Sequence, residues 1–305
     1  MNDRGVIEIE GLTVRYGRQT AVDGLGVSVP KGCVYALLGR NGSGKSSTVR
    51  CLVGQRCASS GTARVFGLDA WRQRRQIMER VGVVPEHPDI PLESDAKRVA
   101  RFLARVTPYW RSGDFFGRLD AFRIPHKKPF GRLSKGQQRQ MALAVALANS
   151  PKLLVLDDPT LGLDVVARKE LFEELIGELA DRGTSVFLTS HDLAGIEGIA
   201  DRVGILDHGR LKLDESIEAL KMRFCRLTWT GADDVPEEKI RSGLGHLDPV
   251  QVETLGGTGE AIVSNFSEVG FGKFRELAPV EVRRVRAISL EEIFIALCGD
   301  HGEAS

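Results

Sequence analysis

The first stretches with a clear pattern either alternate apolar and polar residues or run apolar between Gly and Pro. "VIEIEGLTVRYG" and "GLGVSVPKGCVYALLG" predict strands that open a sheet. From about Ser46 to Ser150 helical patterns dominate. Between 151 and 210 the pattern becomes strand, helix, strand: "KLLVLDD", then "VVARKELFEELIGELADRG" with helical periodicity, then "SVFLTSHD" and "RVGILDHGRL". Strands alternating with helices imply an α/β fold with a mainly parallel, covered sheet.

The composition shifts after the helix "ESIEALKMRF". Short alternating runs follow, "RLTWT", "VQVETL", "EAIVS" and "VEVRRVRAI", with "GGTG" as a hairpin turn. In the closing "SLEEIFIALCG", Ser289 stands at capping-box spacing from Glu292, which predicts a last helix. The expected domains are therefore 1–222 and a small α+β accessory domain at 223–305, roughly 80 residues long. No internal repeat or low-complexity segment interrupts them.

Composition narrows the function classes. With 305 residues and 42% apolar content the chain can fill a sizeable core. Lys+Arg 42 against Asp+Glu 41 leaves a formal charge of +1, so no global field draws it to nucleic acid. The five cysteines, Cys33, Cys51, Cys57, Cys225 and Cys298, form no C-x-x-C pair, and the six histidines lack ligand spacing. They read as reduced thiols of a cytosolic protein. The N-terminal "MNDRGVIEIEGL" lacks the layout of a signal peptide, and no window is a spanning segment.

Chemistry concentrates in a few stretches. "GRNGSGKSS", Gly39 to Ser47, follows the apolar "VYALLG" and precedes the helical "STVRCLVG", which is G-x-x-x-x-G-K-[ST] in its strand-loop-helix setting. Gly39, Gly42 and Gly44 let the backbone N–H groups around Asn41 and Ser43 curl about phosphate oxygens, and the helix start at Ser46 and Ser47 adds its positive dipole end. Lys45 would reach the outer phosphates and Ser46 would offer a hydroxyl to Mg²⁺. A glycine-rich turn capped by serine is the plainer alternative; the flanking strand and helix favour phosphate.

"LLVLDDPT" ends a second apolar strand in Asp157 and Asp158. A Mg²⁺-nucleotide site needs one carboxylate for the metal, the role for Asp157, and a second beside it could polarise the attacking water, the role for Asp158. Two acids could instead cap a turn. In "GRLSKGQQRQMALAVALANSP", Ser134 is an ordinary N-cap whose helix tip could also bind a phosphate.

Taken in order, Gly39–Ser47, "LSKGQ" at 133–137, "LLVLDDPT", "LGLD" at 161–164 and "TSHD" at 189–192 resemble the ATPase subunit of an ATP-binding-cassette transporter. The resemblance covers about residues 5–215, and "LSKGQ" is its most specific element. It implies a P-loop NTPase cassette with an antiparallel β subdomain and a helical arm at about 87–145. It further implies a head-to-tail dimer that sandwiches two ATP molecules, with Ser134, Gly136 and Gln137 completing the partner's site. Tyr16 matches the aromatic that stacks on adenine, Asp164 the acid linking the two sites, and His191 the γ-phosphate histidine. Simple packing is the alternative for Tyr16 and for His191.

Two positions depart from the family pattern. Glu86, in "VGVVPEHPD", stands where a Gln touching metal and water is usual, and Asp158 stands where Glu is usual. One missing methylene withdraws the carboxylate by roughly 1.5 Å, so slow hydrolysis is one expectation. Compensation of the short acid by the longer Glu86 is another, although Glu86 also fits a drug and antibiotic exporter branch with the ordinary second Glu.

From Lys97 to Arg139 there are twelve Lys or Arg, opposed only by Asp114 and Asp120. This is a solvated face or, at Arg101, Arg105, Arg111, Lys127 and Lys128, a surface for anionic lipid headgroups. The resemblance implies a permease on a separate chain, docked in the cleft around Glu86 to Trp110. It also implies residence on the inner face of the cell membrane and, from the "SLEEIF" ending, an exporter. The rival function is a soluble cassette ATPase acting as an ATP-dependent switch or clamp, a class that usually carries coiled-coil insertions or fused cassettes.

Overall fold

The computed structural model describes residues 5–299 apart from 194, 232–234 and 256. Two compact units emerge, Met1–Asp214 and Glu215–Ser305, so the division falls after 214 and the sequence reading placed it after 222.

In the first unit β1 (Ile7–Tyr16) and β2 (Gln19–Val29) form an antiparallel hairpin. Next come β3 (Val34–Leu38), α1 (Lys45–Leu52), β4 (Ser60–Val65), β5 (Leu68–Asp69), α2 (Arg74–Met78) and β6 (Val81–Val84). Helices α3 (Ala96–Val106), α4 (Ser112–Ala121) and α5 (Lys135–Leu147) make the arm. The unit closes with β7 (Leu153–Asp157), α6 (Val165–Arg182), β8 (Ser185–Ser190), β9 (Arg202–Asp207) and β10 (Arg210–Ser216), whose last two residues pass the division.

Two sheets result. One is four-stranded in the order β2-β1-β4-β5; the other is six-stranded in the order β10-β9-β3-β8-β7-β6, with β9, β3, β8, β7 and β6 mutually parallel. Every residue of β3, β7 and β8 is buried, which is why "VYALL" and "LLVLD" read as continuous apolar runs rather than alternations. The core packs Tyr35 and Phe187, stacked with centroids 5.6 Å apart, with Val155 of the parallel sheet and Ile7 and Val14 of the antiparallel one. The parallel strands end at one edge, which gathers the loops after β3, β6, β7 and β8.

Within the region read as helical, β4, β5 and β6 are strands. They are two to six residues long, and periodicity cannot tell so short an apolar run as "VGVV" from helix. The arm has a core of its own around Phe115, Leu119, Phe130, Leu133 and Met141.

The second unit contains α7 (Ile217–Arg223), β11 (Cys225–Thr230), α8 (Glu237–Leu244), β12 (Pro249–Leu255), β13 (Thr258–Val263), α9 (Glu268–Leu277), β14 (Glu281–Ala287) and α10 (Leu290–Cys298). Its antiparallel sheet runs β12-β13-β11-β14, and Trp229 packs edge-on against Phe274 of α9. Helices α8 and α9 add to what the strand-like runs predicted; α10 starts with the capping box of Ser289 and Glu292. Hydrogen bonds from Arg286 pull the Glu292 carboxyl down to about 2. No helix among the described residues is long and apolar enough to cross a membrane.

Candidate functional site

The loop between β3 and α1 is shaped by its glycines. Gly44 sits at φ 110°, and a Cβ there would meet the Ala21 carbonyl oxygen at 2.4 Å, so no other residue fits. Ser43 is buried, and its hydroxyl has no hydrogen-bond partner, an orphaned donor inside a loop built to receive oxygens. Lys45, the first residue of α1, folds back into the loop: Nζ donates to the carbonyl oxygens of Gly39 at 2.6 Å and Arg40 at 3.2 Å. Burial lowers the Lys45 pKa, against the charges of Asp158, Asp157 and Glu86, which favour the ammonium.

Three strand ends bring the acids to this loop. From α1, Ser46 Oγ donates to Asp157 Oδ1 at 3.2 Å, and Thr189 Oγ1 of β8 donates to the same oxygen at 2.7 Å. Burial raises the Asp157 carboxyl; these two hydrogen bonds oppose the rise, and the nearby Glu86 and Asp158 add to it. Thr189 Oγ1 also accepts from the Asp158 N–H at 3.1 Å, so one hydroxyl orders both acids. Asp158 adopts φ 49°, a left-handed conformation that Asp tolerates better than most residues. Its Oδ1 lies 2.8 Å from Nδ1 of His191, at the end of β8. Glu86 follows β6, half-buried, and acts electrostatically on Lys45, Asp157 and Arg139.

The hydroxyl of Ser46 and the carboxylate of Asp157 are hard oxygen donors converging beside the phosphate loop. That set suits Mg²⁺, which takes one or two protein oxygens and fills the rest of its shell with phosphate and water. Among the described residues no group of three or more His, Cys, Asp and Glu side chains could hold a metal alone.

Tyr16 ends β1 with its hydroxyl 3.3 Å from Ser47 Oγ, and the Arg56 guanidinium lies over its ring, 3.8 Å from the centroid. Arg56 thus occupies one ring face, and an adenine would have to use the other. Asn41 lies exposed in the phosphate loop.

At the tip of α5, Ser134 Oγ accepts from the Gln137 N–H and Gln137 Oε1 accepts from the Ser134 N–H, both at 3.2 Å. This capping box leaves the Ser134 O–H available to donate outward. Gly136 and Asp164 line the same recess of about 370 Å³, and Asp164 caps α6 by accepting from Ala167 N–H at 2.8 Å.

The sequence reading missed Thr189, Arg56 and Arg139. Thr189 had only its place two residues before His191 to mark it. Arg139 was counted among the solvated basic residues of the arm, yet it opens the part of α5, Arg139 to Leu147, that is buried at every position but Val145.

Similarity to known proteins shows the family. The family described as ABC transporter matches residues 22–161. The bacitracin transport ATP-binding protein BcrA of Bacillus licheniformis is 34% identical over 221 residues, 72% of this chain and 72% of its own length. The Nod factor export ATP-binding protein I of Ralstonia nicotianae is 36% identical over 211 residues, 67% of this chain and 65% of its own. Among solved structures, an ATP-binding subunit of an ABC transporter superposes with TM-score 0.64 at 25% identity, covering 71% of this chain and 92% of that one. Phosphate loop, paired acids, helix tip and strand-end histidine stand in one cassette, and the chain belongs to the ATP-binding, ATP-hydrolysing subunits of ABC transporters.

Proposed function

We propose that this subunit powers an exporter, working as a head-to-tail dimer beneath a separate membrane permease, on the cytoplasmic face of the membrane. ATP would lie with its phosphates in the Gly39–Ser47 loop, Ser46 and Asp157 would hold its Mg²⁺, and Tyr16 would stack on the adenine. Asp158 takes a proton from water as the water oxygen bonds to the γ-phosphorus, and ADP leaves with the electron pair of the broken bond. His191 orients Asp158 and would face the γ-phosphate, and Glu86 would help to hold the metal and its water. Ser134, Gly136 and Gln137 complete the partner's site, and Asp164 links the two. The name of the Nod factor export relative favours export over import; residues 223–305 would then support the dimer or regulate it.

One observation carries the permease reading. Beside the Glu86 loop a cleft of about 530 Å³, lined by Val83, Pro85, Ile90, Phe102, Leu103 and Val145 among others, opens between core and arm. Phe102 is 63% exposed at its edge, an apolar anchor suited to a docking helix. The tagged chain recovered from detergent-solubilised membranes is expected to carry a multi-spanning membrane protein, which Phe102→Asp releases without loss of ATP binding. Recovery with ribosomes or DNA instead would favour the soluble switch or clamp and overturn the reading.

A second feature of the arm supports lipid contact. Arg101, Arg105, Arg111, Lys127 and Lys128 are all exposed, whereas Arg118 is paired with Glu174 and Arg139 is buried. Each exposed cation near an anionic surface contributes about 1 kcal/mol. Vesicle binding by the full chain is expected to rise with anionic lipid content and fall with salt; binding indifferent to lipid charge would remove the idea.

A further inference from the structure

Arg139 is 7% exposed, yet its chemistry is not consumed by the arm's own packing. Its Nη1 donates at 2.9 Å to the carbonyl oxygen of Pro85, the residue that introduces Glu86. Among the described residues that is the one hydrogen bond its five-donor guanidinium makes, and no carboxylate comes within ion-pair distance of it. Burial lowers its pKa, and Glu86, Asp158 and Asp157 act against that effect. The interior thus holds a cation between the α5 helix and the loop that reaches the active site. Arg139 lies in the second turn of α5, about 7.5 Å along the axis from the Ser134 tip at ~1.5 Å rise per residue.

We propose that Arg139 is a positioning residue: it fastens the Glu86 loop to α5, so that the loop and the Ser134 tip move as one body. The helix is stiff over this distance, and a hydrogen bond from a cation to a carbonyl is stronger than a neutral one. A shift of the loop at one subunit's metal and water is thereby passed to the tip that this subunit offers to its partner's nucleotide. The inference rests on the roles proposed above for Glu86 and Ser134, and it adds the part that joins them.

The test compares Arg139→Met, Arg139→Lys and Glu86→Ala, and the Met change on the Glu86→Ala background, all in the full chain. For Arg139→Met, kcat for ATP is expected to fall about tenfold, while the affinity of the dilute protein for a fluorescent ATP analogue stays within about twofold. Arg139→Lys should recover much of the lost turnover, since an ammonium can still donate to the Pro85 carbonyl. On the Glu86→Ala background, Arg139→Met should cost little more, because the loop it fastens no longer carries its working side chain. Should the Met variant fail to fold, Arg139→Gln carries the same comparison. Multiplying losses in the double variant, or nucleotide affinity falling in step with turnover, overturns the fastening and leaves the role of Glu86 standing. Full activity of Glu86→Ala alone overturns that role and the inference with it.

Discussion

Asp158→Asn is expected to lower ATP turnover about 100-fold or more while leaving the affinity for ATP within about threefold of the wild type. Asn has the same shape and also tolerates the left-handed backbone found at Asp158, φ 49°, so the loop keeps its conformation. The backbone N–H stays on Thr189, and the side chain can still meet His191; only the capacity to accept a proton from water is lost. Steady-state turnover and titration with an ATP analogue separate the two effects. If the proposed head-to-tail dimer forms, stalled ATP should also make it persist, an increase in mass that light scattering reads. Turnover within threefold of the wild type would remove Asp158 from the chemistry.

Asp158→Glu asks a finer question, and the structure favours one answer. The short carboxylate already lies 2.8 Å from His191, and Glu would carry it about 1.5 Å further along a backbone that Glu adopts less readily. Turnover is therefore expected not to rise. A faster enzyme would show that the short acid acts as a brake. Compensation by Glu86 predicts that Glu86→Gln and Asp158→Glu are non-additive in kcat. Among the described residues no hydrogen bond joins these two acids; each acts electrostatically on Lys45 and Asp157.

The parallel sheet was legible because fully buried strands are written as unbroken apolar runs, and the phosphate loop because glycine spacing and a strand-helix context admit few other uses. Residues whose role depends on a neighbour distant in sequence were less legible. Thr189 orders both acids only because β7 and β8 are adjacent and in register, Asp157 against Thr189. Arg139 sat in a charge run whose other members are mostly solvated, and charge counting averages over both faces of a helix. A helical projection would not have separated it either, because α5 is buried on nearly every side from Arg139 to Leu147; the local sign was the unbroken apolar run "MALAVAL" that follows it. Arg56 on the Tyr16 ring joins residues 16 and 56 through the fold, and no local pattern announces it.

Lys45→Ala is expected to weaken ATP binding by about 2–5 kcal/mol, roughly 30-fold to several thousandfold, the usual cost of removing one member of a buried, hydrogen-bonded charge pair. Before nucleotide enters, the ammonium rests on the carbonyls of Gly39 and Arg40, and it is 5% exposed. Phosphate oxygens replace weak neutral acceptors with charged ones at a position where the cation has already left water, so little further desolvation opposes the exchange. The alanine variant leaves Glu86, Asp157 and Asp158 facing the phosphates with no lysine between them, and their repulsion adds to the loss. Calorimetric titration with ATP and Mg²⁺ reads the affinity, and a melting temperature within a few degrees of the wild type shows that the loop still folds. Lys45→Arg should not restore binding: a planar guanidinium is wider than an ammonium, and the slot between the two carbonyls accepts a point charge. Affinity within threefold for Lys45→Ala would mean that backbone N–H groups and the α1 dipole hold the phosphates without it.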